Sequence, residues 1–313
     1  MSKILITGGN GLLGDYLAKL LLQKGYDVGI LSRSPKTGAD IKNYFWNPYT
    51  KEIDKNALHE VEYIIHLAGA NVFKEKWSAA GKKRIIDSRV QSALFLFDEI
   101  QKRKIPLKAF ISASAVGYYG TEKSENIYKE TDLPGNGFLA ETCKQWESAA
   151  DRSYTICPRV VKFRTGIVLS REGGAMEKMM FSAKNGLAVA FGNGKQFFPW
   201  IHISDLCNMY IKAIEDSRMN GVYNAVAPDF KTNKEFVQAL TSAFKRKVWL
   251  PNIPVFILKM LLGERSEMLL TGNKISADKI LNEGFCFAYP YLLEALNDLT
   301  AVILNPTDFK KKS

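Results

Sequence analysis

A glycine-rich segment near the start of the chain could bind phosphate. Gly8, Gly11 and Gly14 lie between a short apolar run and a helical pattern. In dinucleotide-binding folds the first such glycine permits a tight turn, the second lets the backbone approach a pyrophosphate, and the third lets the helix pack closely on the strand. The helix N-terminus adds N–H groups and a partial positive charge. We therefore predict a dinucleotide-binding site formed by Gly8, Asn10, Gly11, Leu12, Leu13 and Gly14. The alternative is a turn with a purely structural role.

A cation and a hydroxyl follow the second apolar run. Ser32 and Arg33 occupy the place where NAD-binding folds carry an Asp or Glu that holds the ribose 2′-hydroxyl. Such a pair suits a 2′-phosphate and leaves no carboxylate to repel it. We therefore expect NADP(H) rather than NAD(H). The alternative is that Arg33 is simply an exposed loop arginine.

The elements that must position these residues alternate along the chain. Four apolar runs predict buried strands, at residues 3–7, 27–31, 61–67 and 109–114. Helical periodicity follows the glycine segment as far as Gly25 and returns over about 78–103. This alternation predicts an α/β fold with a Rossmann-type, doubly wound parallel sheet. Because ligands bind at the carboxyl ends of such strands, the glycine segment, Arg33, Ala68 and Ser114 are expected to converge.

Small and polar side chains end the third and fourth predicted strands. Leu67 is followed by Ala68 and Gly69, which leave room for a cofactor. The next strand ends in serines, and Ser112 and Ser114 are expected at the same edge of the sheet.

The second half of the chain predicts a smaller lobe. We place the NADP(H)-binding domain at residues 1–165, with sheet contributions from about 195–226, and a mainly helical substrate lobe with C-terminal helices at 166–313. The substrate is expected to lie between the lobes.

Two residues of this half are candidates for contact with a small-molecule substrate. Arg164 lies near the end of 159–169, a stretch that predicts a strand leaving the sheet. His202 precedes a predicted helix, and a structural histidine is the alternative there.

Composition and charge narrow the class of protein. Of 313 residues, 46% are hydrophobic and 24% charged, as is typical of globular proteins. The formal charge of +11 could attract nucleic acid, but the cations are spread along the chain, so we expect a phosphorylated small molecule instead. The apolar runs are shorter than the ~20 residues of a spanning helix, and no membrane partner is expected.

The spacing of the cysteines favours a reducing cellular compartment and argues against a metal site. The four cysteines lie far apart without CxxC or His/Cys spacing, which predicts no metal site and fits a reducing cytoplasm. No signal peptide is evident before the first predicted strand. The oligomeric state, monomer or homodimer, stays open.

Several segments resemble motifs of the extended short-chain dehydrogenases/reductases. TGGNGLLG is similar to their TGxxGxxG cofactor motif, HLAGA to their adenine-side strand, and SASAVGYYG to their catalytic-serine segment. The closer resemblance, carried by LSRSP, FLAETCKQWE, RTGIVLSREGGAM and PWIHISDL, is to the atypical, YfcH-like epimerase-family subgroup, labelled nucleoside-diphosphate-sugar epimerases. It covers nearly the whole chain. It implies an NADP(H)-dependent oxidoreductase or epimerase that acts on a small carbonyl or hydroxyl substrate, a nucleotide sugar among the candidates.

The resemblance also implies catalytic groups, and one pair departs from it. Such enzymes combine a Ser or Thr with Tyr-x-x-x-Lys on one helix face, where the ammonium lowers the phenol pKa. Ser114 matches the serine, but the expected helix carries Phe138 and Thr142 at that spacing. Tyr118 or Tyr119 and Glu141 are candidates that could compensate, and Lys144 could help to bind the ribose.

Two further questions stay open: the place of Arg89, and whether the protein is catalytic. The resemblance implies that Arg89, in a Ser-Arg dipeptide, faces the cofactor, whereas a solvated helix face is the other interpretation. The absent tyrosine–lysine pair leaves a non-catalytic NADPH-binding or redox-sensing protein as the second hypothesis.

Overall fold

The computed structural model describes residues 2–35, 41–122 and 126–304. Its strands are β1 (Lys3–Thr7), β2 (Asp27–Ser32), β3 (Lys42–Asn47), β4 (Glu52–Ile53), β5 (Val61–His66), β6 (Ala109–Ala115), β7 (Ile127–Tyr128), β8 (Val160–Thr165), β9 (Ile167–Leu169), β10 (Trp200–His202), β11 (Gly221–Ala225) and β12 (Lys274–Ile275). Its helices are α1 (Leu12–Gln23), α2 (Ala79–Arg103), α3 (Phe138–Asp151), α4 (Gly174–Lys184), α5 (Ile203–Glu215), α6 (Asn233–Ala243), α7 (Val255–Leu262), α8 (Glu267–Leu270), α9 (Asp278–Asn282) and α10 (Leu292–Leu304). Short 3₁₀ turns cover Val116–Tyr119, Arg152–Thr155 and Gly263–Ser266.

Eight strands form one mostly parallel sheet, in the order β11-β8-β6-β5-β1-β2-β3-β4. β1 is parallel to both β2 and β5, and β5 is parallel to β6. From β1 the chain builds outward through β2 and β3, and it then returns to place β5 on the other side. The strand order therefore reverses between β1 and β5, which is where α/β sheets of this kind bind ligands. The predicted α/β fold of Rossmann type is confirmed.

The stretch 159–169 departs from the prediction of a strand that leaves the sheet. Its first part, β8, lies inside the main sheet between β6 and β11, and only β9 pairs elsewhere, in parallel with β10. Gly166 separates the two strands, and a Cβ there would lie 2.7 Å from the Pro199 carbonyl oxygen. The change of sheet therefore occurs at a glycine that lets two backbones approach closely.

The chain divides into two compact units. The first contains Met1–Gly120, Pro134–Arg164 and Cys207–Tyr223, and the second contains Thr121–Leu133, Thr165–Leu206 and Asn224–Ser313. One border lies between Arg164 and Thr165. Thr121–Leu133 belongs to the second unit although it precedes this border, and Cys207–Tyr223 belongs to the first although it follows it.

Each unit has its own apolar core. In the first, apolar residues from the sheet, α2 and the flanking turns pack together, among them Leu5, Ile64, Phe95, Leu96, Phe110 and Val160. In the second, α4, α6 and α10 contribute most of the core, among them Met176, Met180, Phe198, Trp200, Phe236 and Leu296.

Candidate cofactor and active site

The glycine segment after β1 forms a turn too crowded for side chains. Gly8 has φ +69, and a Cβ there would lie 2.9 Å from the Leu67 carbonyl carbon and oxygen at the end of β5. A Cβ at Gly14 would lie 2.5 Å from the Gly8 carbonyl oxygen and 2.6 Å from the Gly9 Cα. The close approach at Gly14 is thus to the turn itself, whereas the sequence predicted an approach to the strand. These positions admit only glycine without a shift of backbone.

The helix after this turn presents unbonded amides at its start. The Gly11 N–H donates to the Gly8 C=O over 2.9 Å, and the Asp15 N–H donates to the Gly11 C=O over 2.9 Å as the first bond of α1. The amides of Leu12, Leu13 and Gly14 therefore have no acceptor within the helix. Together with the positive end of the helix dipole, they form an anion-binding position.

Asn10 links the glycine turn to the end of β2. Its Nδ2 donates to the Ser32 Oγ over 2.9 Å, and the Ser34 N–H donates to the same oxygen over 3.1 Å. Arg33 lies between these residues and is exposed. The structure therefore brings the predicted phosphate-binding turn and the predicted cation to neighbouring strand ends.

The ends of β1 and β5 are fastened by one hydroxyl. Thr7 Oγ1 accepts hydrogen bonds from the Leu67 N–H at 3.1 Å and the Ala68 N–H at 3.0 Å. Leu67 and Ala68, both predicted to line the cofactor site, are thereby held against the glycine turn.

Arg89 supports the next two residues of this edge. Its Nη2 donates to the Ala70 C=O over 3.1 Å, and its guanidinium lies 4.9 Å from the Trp146 ring centroid. A Cβ at Gly69 would lie 2.9 Å from the Arg89 guanidinium carbon. Burial lowers the pKa of Arg89. Arg89 therefore packs beneath the Gly69–Ala70 backbone, and the interpretation as a solvated helix face is wrong.

Ser112 and His66 lie opposite each other on β6 and β5. The Ser112 Oγ donates to the Ala113 C=O over 2.9 Å and is buried, so this hydroxyl is used internally. His66 Nε2 lies 2.8 Å from the Ser92 Oγ, and burial lowers the pKa of His66 to about 3. His66 is therefore neutral at physiological pH.

A buried polar cluster connects the ends of β6 and β8 to α3. Ser114 Oγ donates to Glu147 Oε1 over 2.7 Å. Arg164 donates to both Glu147 oxygens, from Nε at 2.8 Å and from Nη2 at 2.9 Å. Burial lowers the pKa of Arg164, but its hydrogen bonds to Glu147 and the charge of that carboxylate raise it above the usual value. The result is a bidentate buried ion pair with a serine on its carboxylate side.

Two tyrosines complete this cluster. Arg164 Nη1 donates to the Tyr119 Oη over 3.1 Å, and Tyr119 is 1% exposed. The Tyr118 ring lies on the guanidinium, with its centroid 3.3 Å from the Arg164 Cζ, and Tyr118 is half-buried. Arg164, predicted to contact substrate, instead lies buried between Glu147 and the tyrosines. Sequence reasoning overlooked Glu147, although a carboxylate among the buried positions of α3 was a signal.

This arrangement of glycine turn, helix N-terminus and sheet edge matches a known family. The model of the NAD dependent epimerase/dehydratase family matches residues 4–225. The chain belongs to this family. A second model, a domain of unknown function (DUF1731), matches residues 253–299. The resemblance to extended short-chain dehydrogenases is thus confirmed.

Full-length relatives agree with this assignment. The chain is 34% identical to the human epimerase family protein SDR39U1, in an alignment of 304 residues that covers 96% of this chain and 100% of that protein. It is 34% identical to the epimerase family protein SSP1921 of Staphylococcus saprophyticus, over 96% of this chain and 99% of that protein. The crystal structure of human SDR39U1 (isoform2) with NADPH is similar with a TM-score of 0.86 at 32% identity, over 96% of this chain and 99% of that chain.

The inward face of α3 shows what replaces the tyrosine–lysine pair common in extended members of this family. A Cβ at Gly117, just after β6, would lie 3.3 Å from the Leu139 Cβ and 3.8 Å from the Cys143 Sγ. Leu139, Cys143 and Glu147 follow one another at four-residue spacing, so they share this face. Burial raises the pKa of Cys143 to about 12, which keeps the thiol protonated. Phe138 instead packs edge-on against Trp77, with ring centroids 5.0 Å apart.

Glu141 lies on the opposite, exposed side of α3. Its carboxylate accepts from Lys144 Nζ at 2.8 Å and from Gln145 Nε2 at 3.0 Å. These bonds lower the pKa of Glu141. The structure therefore does not bring Glu141 or Lys144 into the cluster around Ser114.

His202, in the second unit, is enclosed by its own neighbours. The Ser204 N–H donates to His202 Nδ1 over 3.2 Å, and the ring lies 4.1 Å from the Tyr289 ring centroid. Nε2 is 3.4 Å from Asp298 Oδ2, in a geometry too poor for a hydrogen bond. Burial lowers the pKa of His202 to about 4. These contacts fit the structural alternative better than a role in substrate binding.

The described part of the chain contains no candidate metal-binding site. Among residues 2–35, 41–122 and 126–304, the structure places no three His, Cys, Asp or Glu side chains where they could hold a metal ion.

Proposed function

We propose that this chain binds NADP(H) and acts as an oxidoreductase or epimerase on a small carbonyl or hydroxyl substrate, with nucleotide-linked sugars as the first class to test. The observation that carries the proposal is the crowded glycine turn, where Gly8 and Gly14 have backbone atoms in the Cβ position at the point of strand reversal. The human relative crystallised with NADPH supports the choice of cofactor.

The residues present fit such a cofactor. The amides at the start of α1 suit a pyrophosphate, and Arg33 beside the Asn10–Ser32 hydrogen bond suits a 2′-phosphate. When bound, the nicotinamide supplies hydride transfer. Four free cysteines, three of them buried, fit a reducing compartment, and we place the protein in the cytoplasm.

A side chain of the protein must then exchange a proton with the substrate hydroxyl or carbonyl group. We assign this role to the Tyr118 Oη, because Tyr118 is half-buried whereas Tyr119, the other tyrosine that the sequence offered, is enclosed. The Arg164 guanidinium lies against the Tyr118 ring, so a cation stands beside this tyrosine, as a lysine does in related enzymes. Glu147 and Tyr119 hold Arg164 in place, and Ser114 donates to Glu147. Glu141 does not suit the role, since its bonds to Lys144 and Gln145 favour the ionised form.

A second candidate function is NADPH binding without turnover. The observation that favours it is the presence of Leu139 and Cys143 on the α3 face that the tyrosine–lysine pair would occupy. Such a protein would use the cofactor to stabilise one conformation or to sense redox state.

Calorimetric titration with NADPH and NADH tests the cofactor. We expect tighter binding of NADPH, and Arg33→Asp should weaken NADPH about tenfold or more while changing NADH little, as loss of a charge-assisted bond would. Lys51→Asp, at another exposed turn of the first unit, makes the same charge change and should leave both affinities unaltered. Equal losses for the two cofactors in Arg33→Asp would remove the 2′-phosphate assignment.

A carbonyl and nucleotide-sugar screen separates the two functions. If turnover is found, Tyr118→Phe should lower kcat about a hundredfold or more, as loss of a general acid–base does. Tyr119→Phe should cost much less. Firm NADPH binding with no turnover across the screen supports the non-catalytic function.

A further inference from the structure

Helix α7 exposes apolar side chains around most of its circumference. Of its eight residues, VFILKMLL, only Leu258 is buried. Phe256, Met260 and Leu261 are 70%, 75% and 67% exposed. Large apolar side chains exposed next to one another mark an interaction site, whereas scattered single ones do not. The proposed reaction makes no use of this helix.

The segment that leads into α7 extends this surface. Trp249 is 70% exposed, and its Nε1 lies 3.7 Å from where a Cβ would stand at Gly186, just after α4. Arg246 Nε donates to the Lys184 C=O over 3.3 Å. The Ile253 N–H donates to the Ala190 C=O over 2.9 Å. The segment is thus held in the second unit by the Arg246 side chain and the Ile253 backbone, while its tryptophan stays exposed.

The charge of this segment has one sign. Residues 245–262 contain four cations and no Asp or Glu, the cations being Lys245, Arg246, Lys247 and Lys259. Cations beside exposed tryptophan, phenylalanine and leucine side chains are the pattern of elements that lie in a membrane interface. The stems of the lysines can cover apolar surface while their ammonium groups stay in water.

We propose that residues 245–262 dock on a membrane surface that contains anionic phospholipid. Such a surface meets both properties of the segment, since it buries the apolar side chains at the acyl boundary and attracts the cations through its headgroups. A second copy of the chain fits less well, because a two-fold interface would bring together two segments whose charged residues are all positive. Within the described ranges no helix is long and apolar enough to cross a membrane, so the contact is peripheral. This proposal departs from the expectation, drawn from the sequence, of no membrane partner.

Co-sedimentation of the full chain with vesicles tests the proposal. The vesicles are phosphatidylcholine alone and phosphatidylcholine mixed with phosphatidylglycerol. We expect binding to the mixed vesicles, weakened by salt, with a blue shift of tryptophan emission that Trp249→Ser reduces. Absence of binding to the mixed vesicles overturns the proposal.

Variants of exposed residues locate the contact. Phe256→Ser combined with Met260→Ser should lower the partition coefficient about tenfold or more, because two large side chains no longer enter the interface. Lys247→Glu should lower it about fivefold or more. Leu133→Ser, at a side chain that is 85% exposed elsewhere in the second unit, is the matched control and should change nothing. Thermal unfolding of each variant confirms that it is folded.

Two other results would contradict this assignment. If the double variant binds vesicles as the wild type does, residues 245–262 are not the contact. If sedimentation velocity shows concentration-dependent dimers that the double variant abolishes, the surface belongs to a second copy. NADPH titration of the same variants tests the proposed cofactor site separately. The variants should bind NADPH as the wild type does, since the proposed cofactor residues belong to the first unit.

Discussion

The two halves of the sheet's carboxyl edge follow the family pattern to different degrees. Around β1, β2 and β5 the pattern is intact, with a crowded turn at Gly8 and Gly14 and a hydrogen bond from Asn10 to Ser32. Around β6 and β8 Ser114 is kept, but the adjoining face of α3 carries a leucine and a cysteine, and a Glu147–Arg164 ion pair lies beneath it.

The difference shows which kind of site tolerates substitution. Phosphate binding by a turn depends on backbone amides and on the absence of side chains, so few sequences satisfy it. Proton transfer needs a titratable group and a nearby charge, and different elements can supply both. The intact first region therefore fits the family's cofactor, while the second region can take a new set of residues or lose the reaction.

The largest expected effect on cofactor binding comes from the intact region. Gly14→Ala should lower the free energy of unfolding by about 1–3 kcal/mol, because its Cβ would lie 2.5 Å from the Gly8 carbonyl oxygen, and NADPH binding should be lost. Gly11→Ala is the matched control, since its Cβ would meet the same oxygen at 3.2 Å. We expect it to weaken NADPH binding while changing stability little. Urea unfolding and calorimetry provide the two values, and equal loss of stability in both variants would contradict the packing argument.

The largest expected effect on stability concerns the region that departs from the pattern. Glu147→Gln should destabilise the protein by about 3–5 kcal/mol, because it leaves the Arg164 guanidinium buried without its carboxylate. Replacing both residues by Leu should recover most of this loss. Glu141→Gln, at an ion pair that is about half exposed, should change stability by less than about 1 kcal/mol. Similar unfolding curves for Glu147→Gln and Glu141→Gln would show that the buried pair contributes little.

The sequence predicted the first region because its signals are local. The glycines, Asn10, Ser32 and Arg33 lie within one strand–turn–helix–strand unit, where neighbours along the chain are neighbours in space. Strands β1, β2, β5 and β6 were predicted for a similar reason, since buried parallel strands are continuous apolar runs. β3 escaped prediction because KNYFWN, a strand near the sheet edge, mixes polar and aromatic residues.

The second region could not be predicted because its signals are long-range. Glu147 and Arg164 lie on α3 and β8, and their pairing depends on how the helix packs on the sheet. The direction of the α3 face was also hidden, so the sequence offered Phe138 and Glu141 where the structure turns Leu139 and Cys143 inward. Arg89 shows the same limit, because burial beneath Gly69 leaves no trace in helical periodicity.

A third effect depends on pH and belongs to His66, which lies between the two regions. Trp146 Nε1 on α3 donates to its Nδ1 over 3.5 Å, and Ser92 on α2 contacts its Nε2. The unfolded chain takes up a proton at the ordinary histidine pKa of about 6.5, but burial lowers the pKa of folded His66 to about 3. The unfolded state therefore binds more protons in this window.

Stability should consequently fall as the pH drops below about 6.5, by as much as about 1.4 kcal/mol for each pH unit from this group. His66→Gln should flatten the dependence of the unfolding free energy on pH between 6.5 and about 4, as measured by urea titrations at several pH values. His59→Gln, at an exposed histidine, should leave the wild-type slope in place. If His66→Gln keeps the full slope, His66 takes up its proton in the folded state as readily as in the unfolded chain, and water must reach this buried side chain.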